Sequence, residues 1–157
     1  MEIVATEGLL SECLLQMTPA AVDRGVTLHY EPGAAAPIQA VRRRLAQVVN
    51  NLLSNAIQYN RPDGLVELSC ALSGAGLLDI IVSDAGPGIS FAELPRLFMP
   101  FNRMDAAAAG IEGTGLGLTL SRELMTAMGG TLHGSSQEGV GSIFTASTPL
   151  AVPADAG

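Results

Sequence analysis

The segment Asp84-Ala85-Gly86-Pro87-Gly88-Ile89 comes just after the apolar run Leu77-Leu78-Asp79-Ile80-Ile81-Val82. The run has the composition of a buried strand, and a carboxylate followed by two glycines stands where that strand ends. One acceptor oxygen is thereby placed where the backbone can approach a flat ligand closely. The stretch is compatible with a pocket for a nucleotide base, although Asp-x-Gly also occurs in turns that only reverse the chain.

Composition limits the class of protein. The 157 residues are 48% hydrophobic, which predicts one domain (1–157) with its own core. Fifteen acidic against eight basic residues, all of them arginine, give a net charge of −7, which argues against nucleic acid or an anionic membrane as partner. No apolar run approaches the roughly 20 residues that a bilayer requires and no leader opens the chain. We therefore expect a cytoplasmic domain without direct membrane contact.

Cys13 and Cys70 lack companions at metal-binding spacing, which favours buried thiols.

The clearest periodicity lies between Arg42 and Asn60, where apolar residues recur every three or four positions and predict an amphipathic helix. Asn55 falls only about 20° outside the apolar face, and Asn51 lies one turn earlier on the same side. A buried amide without partners costs roughly 1 to 3 kcal/mol, so both side chains need them. Neighbouring backbone would satisfy them, and so would a hard cation that takes the carbonyl oxygen of Asn55.

Other segments indicate a mixture of helices and strands. Residues 1–24 are expected to form a helical lead-in with its helix from Thr6 to about Arg24, and Pro19 either kinks this helix or opens a second short one. The remaining predictions are a strand at 26–30, a loop at 31–37, hairpin arms at 65–72 and 77–82, a short helix at 91–97 capped by Ser90, and closing strands at 131–135 and 142–148.

A second glycine-rich stretch, Gly113-Thr114-Gly115-Leu116-Gly117-Leu118, opens a helix that continues through Leu124 and Met128. Unpaired N–H groups at the start of a helix favour phosphate, and the helix dipole adds to this preference. The motif alone is weak, because no strand precedes it as the dinucleotide fingerprint requires. Before it, Phe98-Met99-Pro100-Phe101 is followed by small residues without pattern, which predict a mobile loop at 102–112.

These stretches and Asn51-Leu52-Leu53-Ser54-Asn55-Ala56 resemble, in order and spacing, the N, G1, F and G2 boxes of bacterial sensor histidine kinases. The resemblance covers nearly the whole chain. It implies the Bergerat ATP-binding fold, an α/β (α+β two-layer) sandwich with a mixed, mostly antiparallel sheet and helices on one face. It also implies ATP and Mg²⁺ as ligands and makes residues 102–112 the ATP lid.

The resemblance also implies roles for individual residues. Asn51 and Asn55 would be catalytic, with Asn55 as the magnesium ligand. Asp84 would accept from the adenine amino group, since an alkyl group there would leave that amino group unpaired. The other implied nucleotide contacts are Gln58, Tyr59, Gly86, Gly88, Ile89, Phe101, Arg103, Gly113, Thr114, Gly115, Leu116, Gly117 and Leu118.

Two departures from the family pattern bear on activity. Many members carry lysine where this chain has Gln58, and loss of that charge would weaken phosphate binding unless Arg103 or Arg44 replaces it. The phosphate-accepting histidine is also absent, because His29 and His133 lie in strand patterns. The resemblance therefore implies a catalytic fragment that transfers the ATP γ-phosphate to a histidine on a separate dimerisation hairpin, with a response regulator as indirect partner.

Three other functions of the same fold remain open. Gln58 alone supports a nucleotide-binding pseudokinase or interaction scaffold. A serine kinase of the anti-sigma type is disfavoured by the F box and the long lid. A hydrolytic ATPase is disfavoured at position 51, where the hydrolytic relatives carry a glutamate that activates water, because the amide of Asn51 cannot take a proton at neutral pH.

Overall fold

Helices and strands are interleaved along the chain. The computed structural model describes residues 2–31, 36–58, 60, 63–73, 76–84, 115–137 and 141–151. The elements in these ranges are β1 (Glu2–Val4), α1 (Thr6–Arg24), β2 (Thr27–Glu31), β3 (Ile38–Ala40), α2 (Arg42–Gln58), β4 (Leu65–Ser73), β5 (Leu77–Asp84), α3 (Gly115–Ala127), β6 (Thr131–Gln137) and β7 (Gly141–Pro149).

Five of the strands form one mixed sheet in the order β2-β4-β5-β7-β6. β2 runs parallel to β4, whereas the other neighbouring strands of this sheet are antiparallel. Asp84, at the end of β5, lies opposite Val66 of β4 and Ser142 of β7. The predicted mixed, mostly antiparallel sheet is therefore confirmed, and the strand that ends at Asp84 occupies its middle.

The core lies between this sheet and the helices. Every second residue is buried over 65–70 in β4 and over 77–82 in β5, which is the pattern of strands with one covered face. The face of α2 that packs onto the sheet is the apolar stripe expected from its periodicity. It includes Leu45, Leu52 and Leu53, which are 0% exposed. Each such side chain contributes roughly 1.5 to 3 kcal/mol by leaving water. The two-layer α/β arrangement with helices on one face is thus as predicted.

α1 and α2 lie side by side and run in the same direction. Contacts occur in the same order along both helices: Arg42 pairs with Glu12 at 2.8 Å, Asn50 Nδ2 donates to Gln16 Oε1 at 2.7 Å, and Arg24 donates to the Gln58 carbonyl at 2.9 Å. The predicted buried state of the Cys13 thiol is confirmed, at 0% exposure against α2.

None of the helices in the described ranges combines the length and the hydropathy needed to cross a bilayer.

The start of the chain differs from expectation. The predicted helical lead-in of residues 1–24 begins with the strand β1, which pairs with β3 in an antiparallel ribbon of two strands. Three-residue strands are too short to show periodicity, and this pairing joins segments far apart in sequence, so the pattern could not reveal it. The ribbon also supports α2, because the carboxylate of Glu2 accepts the backbone N–H of Arg42 at 3.2 Å.

Pro19 lies within a single helix, so the alternative of a second short helix is wrong. Proline has no N–H, so the carbonyl of Leu15, four residues earlier, loses its helical hydrogen bond. Leu15 is 76% exposed, so water can reach this carbonyl instead. The last helix, α3, ends at Ala127 and is followed by two glycines: Gly129 has φ 81°, and the N–H of Gly130 donates to the Met125 carbonyl at 2.8 Å.

Candidate functional site

Two asparagines of α2 lie where sequence periodicity predicts them, at the edge of the buried face. Asn55 is buried, with 8% exposure, and its side-chain amide forms no hydrogen bond with another described residue. Asn51 is half-buried, and its Nδ2 donates to the Oγ of Ser121 on α3 at 3.1 Å. Since residues four apart share a helix face, Asn55 lies one turn beyond Asn51 on the side of α2 that meets α3.

α3 runs antiparallel to α2, which decides where its glycine-rich start lies. Near the beginning of α2, the backbone N–H of Val41 contacts the thioether of Met128 at 3.4 Å, just past the end of α3. Farther along α2, Asn51 contacts Ser121 in the middle of α3. Continuing this order places Gly115 beside the last turns of α2, because Asn55 is roughly 6 Å past Asn51 and Gly115 roughly 9 Å before Ser121.

The carboxylate of Asp84 belongs to the same end of the domain. The chain leaves α2 through Asn60, whose amide donates to the Leu65 carbonyl at the start of β4 at 3.1 Å. The next residue of β4, Val66, pairs with Asp84. The start of α2 and the start of β5 lie at the other end of the domain. There Ile38, shortly before α2, bridges to Leu150, and the N–H of Leu150 donates to the Gly76 carbonyl at 3.2 Å.

Three predicted parts of the site are therefore brought to one end of the fold: Asn55, Asp84 and the start of α3. Their chemistry is complementary. An amide oxygen suits a hard cation, a carboxylate suits an amino group, and the first N–H groups of a helix suit a phosphate.

Gln58 closes α2 and is half-buried. Its backbone carbonyl, one of the unpaired acceptors at the helix end, receives the guanidinium of Arg24 at 2.9 Å. A cation at the C-terminus of a helix also interacts favourably with the helix dipole. α1 is thus fastened to the last turn of α2, next to Asn55.

Several predicted site residues lie outside the described residues. These are Tyr59, Gly86, Gly88, Ile89, Phe101, Arg103, Gly113 and Thr114, together with the predicted short helix at 91–97 and the predicted lid at 102–112. Gly115, Leu116, Gly117 and Leu118 form the first turn of α3.

Sequence reasoning missed Ser121, whose residue is 0% exposed. The signal was present, because Ser121 stands three and four positions before Leu124 and Met125 and so falls on the apolar face of the helix. A hydroxyl on such a face needs a partner, and here Asn51 provides it.

The two described thiols lie away from this end of the fold, since Cys13 contacts Ala46 on α2 and Cys70 pairs with Ile80. Burial raises the pKa of Cys13 to about 11, with the neighbouring Glu12 adding to the effect, and burial and Glu7 raise the pKa of Cys70 to about 11. Neutral thiols are poor nucleophiles. His29 pairs with Glu67 near this end of the sheet, but its exposed side chain lies on the open face of β2, with Nε2 3.0 Å from the Glu31 carboxylate.

Comparison with known proteins finds a matching family and several similar proteins. The model of a family described as "Histidine kinase-, DNA gyrase B-, and HSP90-like ATPase" matches residues 40–152. The chain is 36% identical over 151 residues to the sensor histidine kinase ZraS of Escherichia coli (strain K12), an alignment that covers 96% of this chain and 31% of that protein. It is 33% identical over 144 residues to the adaptive-response sensory kinase SasA of Synechococcus sp. (strain CC9311), covering 91% of this chain and 38% of that protein.

A solved structure, full-length ShkA in complex with AMPPNP, superimposes with a TM-score of 0.83 at 28% identity and covers 97% of this chain and 32% of that one. The chain spans about a third of the length of the relatives ZraS and SasA. The resemblance inferred from the four sequence boxes is thereby confirmed. The chain belongs to the family of histidine kinase-, DNA gyrase B- and HSP90-like ATPases, and its relatives there are sensor histidine kinases.

Proposed function

We propose that this chain binds ATP with Mg²⁺ and is the catalytic domain of a cytoplasmic histidine kinase module. It would transfer the γ-phosphate to a histidine on a dimerisation hairpin, from which a response regulator receives it. The observation that carries the proposal is the placement of Asn55, Asp84 and the start of α3 at one end of the fold. The complex of the related ShkA with AMPPNP, an ATP analogue, supports the choice of nucleotide.

Asp84 would select the base. At the end of a central strand, pairing with Val66 and Ser142 fixes the backbone that carries this carboxylate. A carboxylate only accepts hydrogen bonds, so it pairs with the amino group of adenine and leaves the carbonyl of guanine without a donor. Discrimination by an unpaired buried polar group is worth much more than discrimination by shape alone.

Asn55 would hold the magnesium ion, and the residue fits that role. It is 8% exposed, and its amide makes no hydrogen bond to other described residues, so its oxygen remains available to a cation. Magnesium prefers oxygen ligands and keeps several waters, so one protein ligand plus phosphate oxygens is enough. When bound, the ion would neutralise charge on the triphosphate and orient it.

The first turn of α3 would bind phosphate through its backbone N–H groups. Phosphoryl transfer asks the protein mainly to position the triphosphate and stabilise its charge. Asn51 supplies no base for attack by water, because an amide does not take a proton at neutral pH and its nitrogen donates to Ser121. A nucleophile from outside the chain, a histidine nitrogen, therefore fits the site better than steady hydrolysis.

Thermal unfolding with nucleotide tests the binding step. ATP and Mg²⁺ at about 100 times the dissociation constant should add roughly 2.7 kcal/mol of stability, or several degrees for a chain of this length. GTP should add much less. Absence of a shift at millimolar ATP would contradict the proposal and favour a scaffold of the same fold. The transfer step is tested on the full-length protein, where γ-labelled ATP should label a histidine.

A further inference from the structure

We propose that Ser121 is a positioning residue for the nucleotide site and that it acts through Asn51. Its hydroxyl would hold the Asn51 amide in place and keep the first turns of α3 at the right distance from Asn55. This inference rests on the proposed ATP-binding function and adds a residue that the sequence motifs do not contain.

The contact between the two residues is well defined. Ser121 is 0% exposed, and its Oγ accepts from Asn51 Nδ2 at 3.1 Å, within the normal range for such a bond. Ser121 cannot exchange this partner for water without opening the interface between the helices. Removing the hydroxyl would take one hydrogen-bond partner from the amide of Asn51, which is half-buried, and this loss costs free energy.

The Asn51–Ser121 bond lies close to both proposed ligand-binding parts of the site. Near the other ends of the two helices, the Val41 N–H meets only the weak acceptor Met128 Sδ. The Asn51–Ser121 bond lies about 9 Å along α3 from Gly115 and about 6 Å along α2 from Asn55. It therefore controls the spacing between the proposed phosphate-binding N–H groups and the proposed magnesium ligand, where small displacements reduce reactivity strongly.

Substitution at Ser121 gives a matched test. Ser121→Ala should weaken Mg²⁺–ATP binding about three- to ten-fold, the loss expected for one hydrogen bond. Ser121→Thr keeps the hydroxyl and should bind nearly as the wild type, whereas Ser121→Val has the shape of threonine without the hydroxyl and should bind as the alanine variant. Calorimetric titration measures the affinities, after a cooperative thermal transition has shown that each variant folds.

Ser147→Ala is the control for general destabilisation. Ser147 is also a buried serine, and its Oγ donates to Asp79 Oδ1 at 2.6 Å on the sheet. Its loss should lower the unfolding temperature without changing the affinity for ATP. If Ser147→Ala weakens binding as much as Ser121→Ala does, the effect at Ser121 is one of stability and the positioning role is wrong.

A double-mutant cycle tests the route through Asn51. If Ser121 acts by holding Asn51, adding Ser121→Ala to Asn51→Ala should cause no further loss of affinity. Fully additive losses would overturn the proposed route. Failure of the wild-type protein to bind ATP would overturn both this role and the proposed function, whereas wild-type binding with an unaffected Ser121→Ala variant would overturn this role alone.

Discussion

At the scale of single residues, Asp84 carries the sharpest expectation. Asp84→Asn keeps the size of the side chain but removes its negative charge and replaces one of its two acceptor oxygens by a donor. We expect the variant to lose most of the thermal shift that Mg²⁺ and ATP produce. Scanning calorimetry with and without nucleotide measures it.

Asp79→Asn is the matched control on the same strand. Asp79 accepts from Ser147 on the neighbouring strand and lies toward the other end of β5. This variant should unfold at a lower temperature but retain the nucleotide-induced shift. Equal loss of the shift in both variants would contradict base recognition by Asp84.

Asn55 is predicted to act through the metal ion. Asn55→Ala should lose chiefly the magnesium-dependent part of ATP binding, because the amide oxygen is the proposed ligand. Titration with ATP in Mg²⁺ and in EDTA separates the two parts. Asn50→Ala is the control, since the Asn50 amide binds Gln16 on the α1 side of the same helix. An Asn55 variant that binds ATP as the wild type does in Mg²⁺ would exclude this ligand.

Candidate site residues could be identified from sequence where a pattern isolated them. Asn51 and Asn55 stood out because amides at the edge of a buried stripe need partners, and Asp84 because a carboxylate ended an apolar run. The partner of Asn51 could not be predicted, because Ser121 lies 70 residues away and nothing in the helix patterns fixes which faces meet. Long-range pairs of this kind depend on how the elements dock.

At the scale of elements, the turn between α3 and β6 gives a stability prediction. A Cβ on Gly130 would overlap the Ser147 carbonyl and lie 2.9 Å from Met125 Cε. Because backbone cannot move away as a flexible side chain can, Gly130→Ala should cost about 1 to 3 kcal/mol or more. Chemical unfolding measures this loss.

Gly8→Ala is the corresponding control within α1. A Cβ there would meet nothing within 4 Å, and alanine favours a helix over glycine by roughly 0.5 to 1 kcal/mol. This variant should therefore be slightly more stable than the wild type. A tolerated Gly130→Ala would show that the turn after α3 can move away from β7.

Element boundaries were predictable where periodicity is long and uninterrupted. α2 was expected at 42–60 and ends at Gln58, and β5 extends past the expected Val82 to Asp84. The ribbon of β1 and β3 was missed because neither strand has a local signal. It exists through pairing and through the contact of Glu2 with the start of α2.

At the scale of the whole molecule, the two buried thiols make stability depend on pH. Burial raises the pKa of Cys13 and of Cys70 to about 11 from an ordinary value of 9.0. Between pH 9.0 and about 11 the unfolded chain has released these protons and the folded chain has kept them. Their contribution to stability is therefore complete below this window and is lost as the pH rises through it.

Urea unfolding at several pH values measures this dependence. The wild type should lose stability more steeply above pH 9.0 than the double variant Cys13→Ala, Cys70→Ala, which serves as reference for all other titrating groups. Parallel curves for the two proteins would mean that the thiols are accessible to solvent in the folded state.

On the function proposed above, Asn55, Asp84 and the start of α3 bind the same ATP molecule. A titration of isotope-labelled protein with Mg²⁺ and ATP, followed by nuclear magnetic resonance, tests it most directly. We expect the backbone signals of Asn55, Asp84 and Gly115 to shift together with one dissociation constant. Shifts at one of these positions while the other two stay unchanged at saturation would contradict the claim.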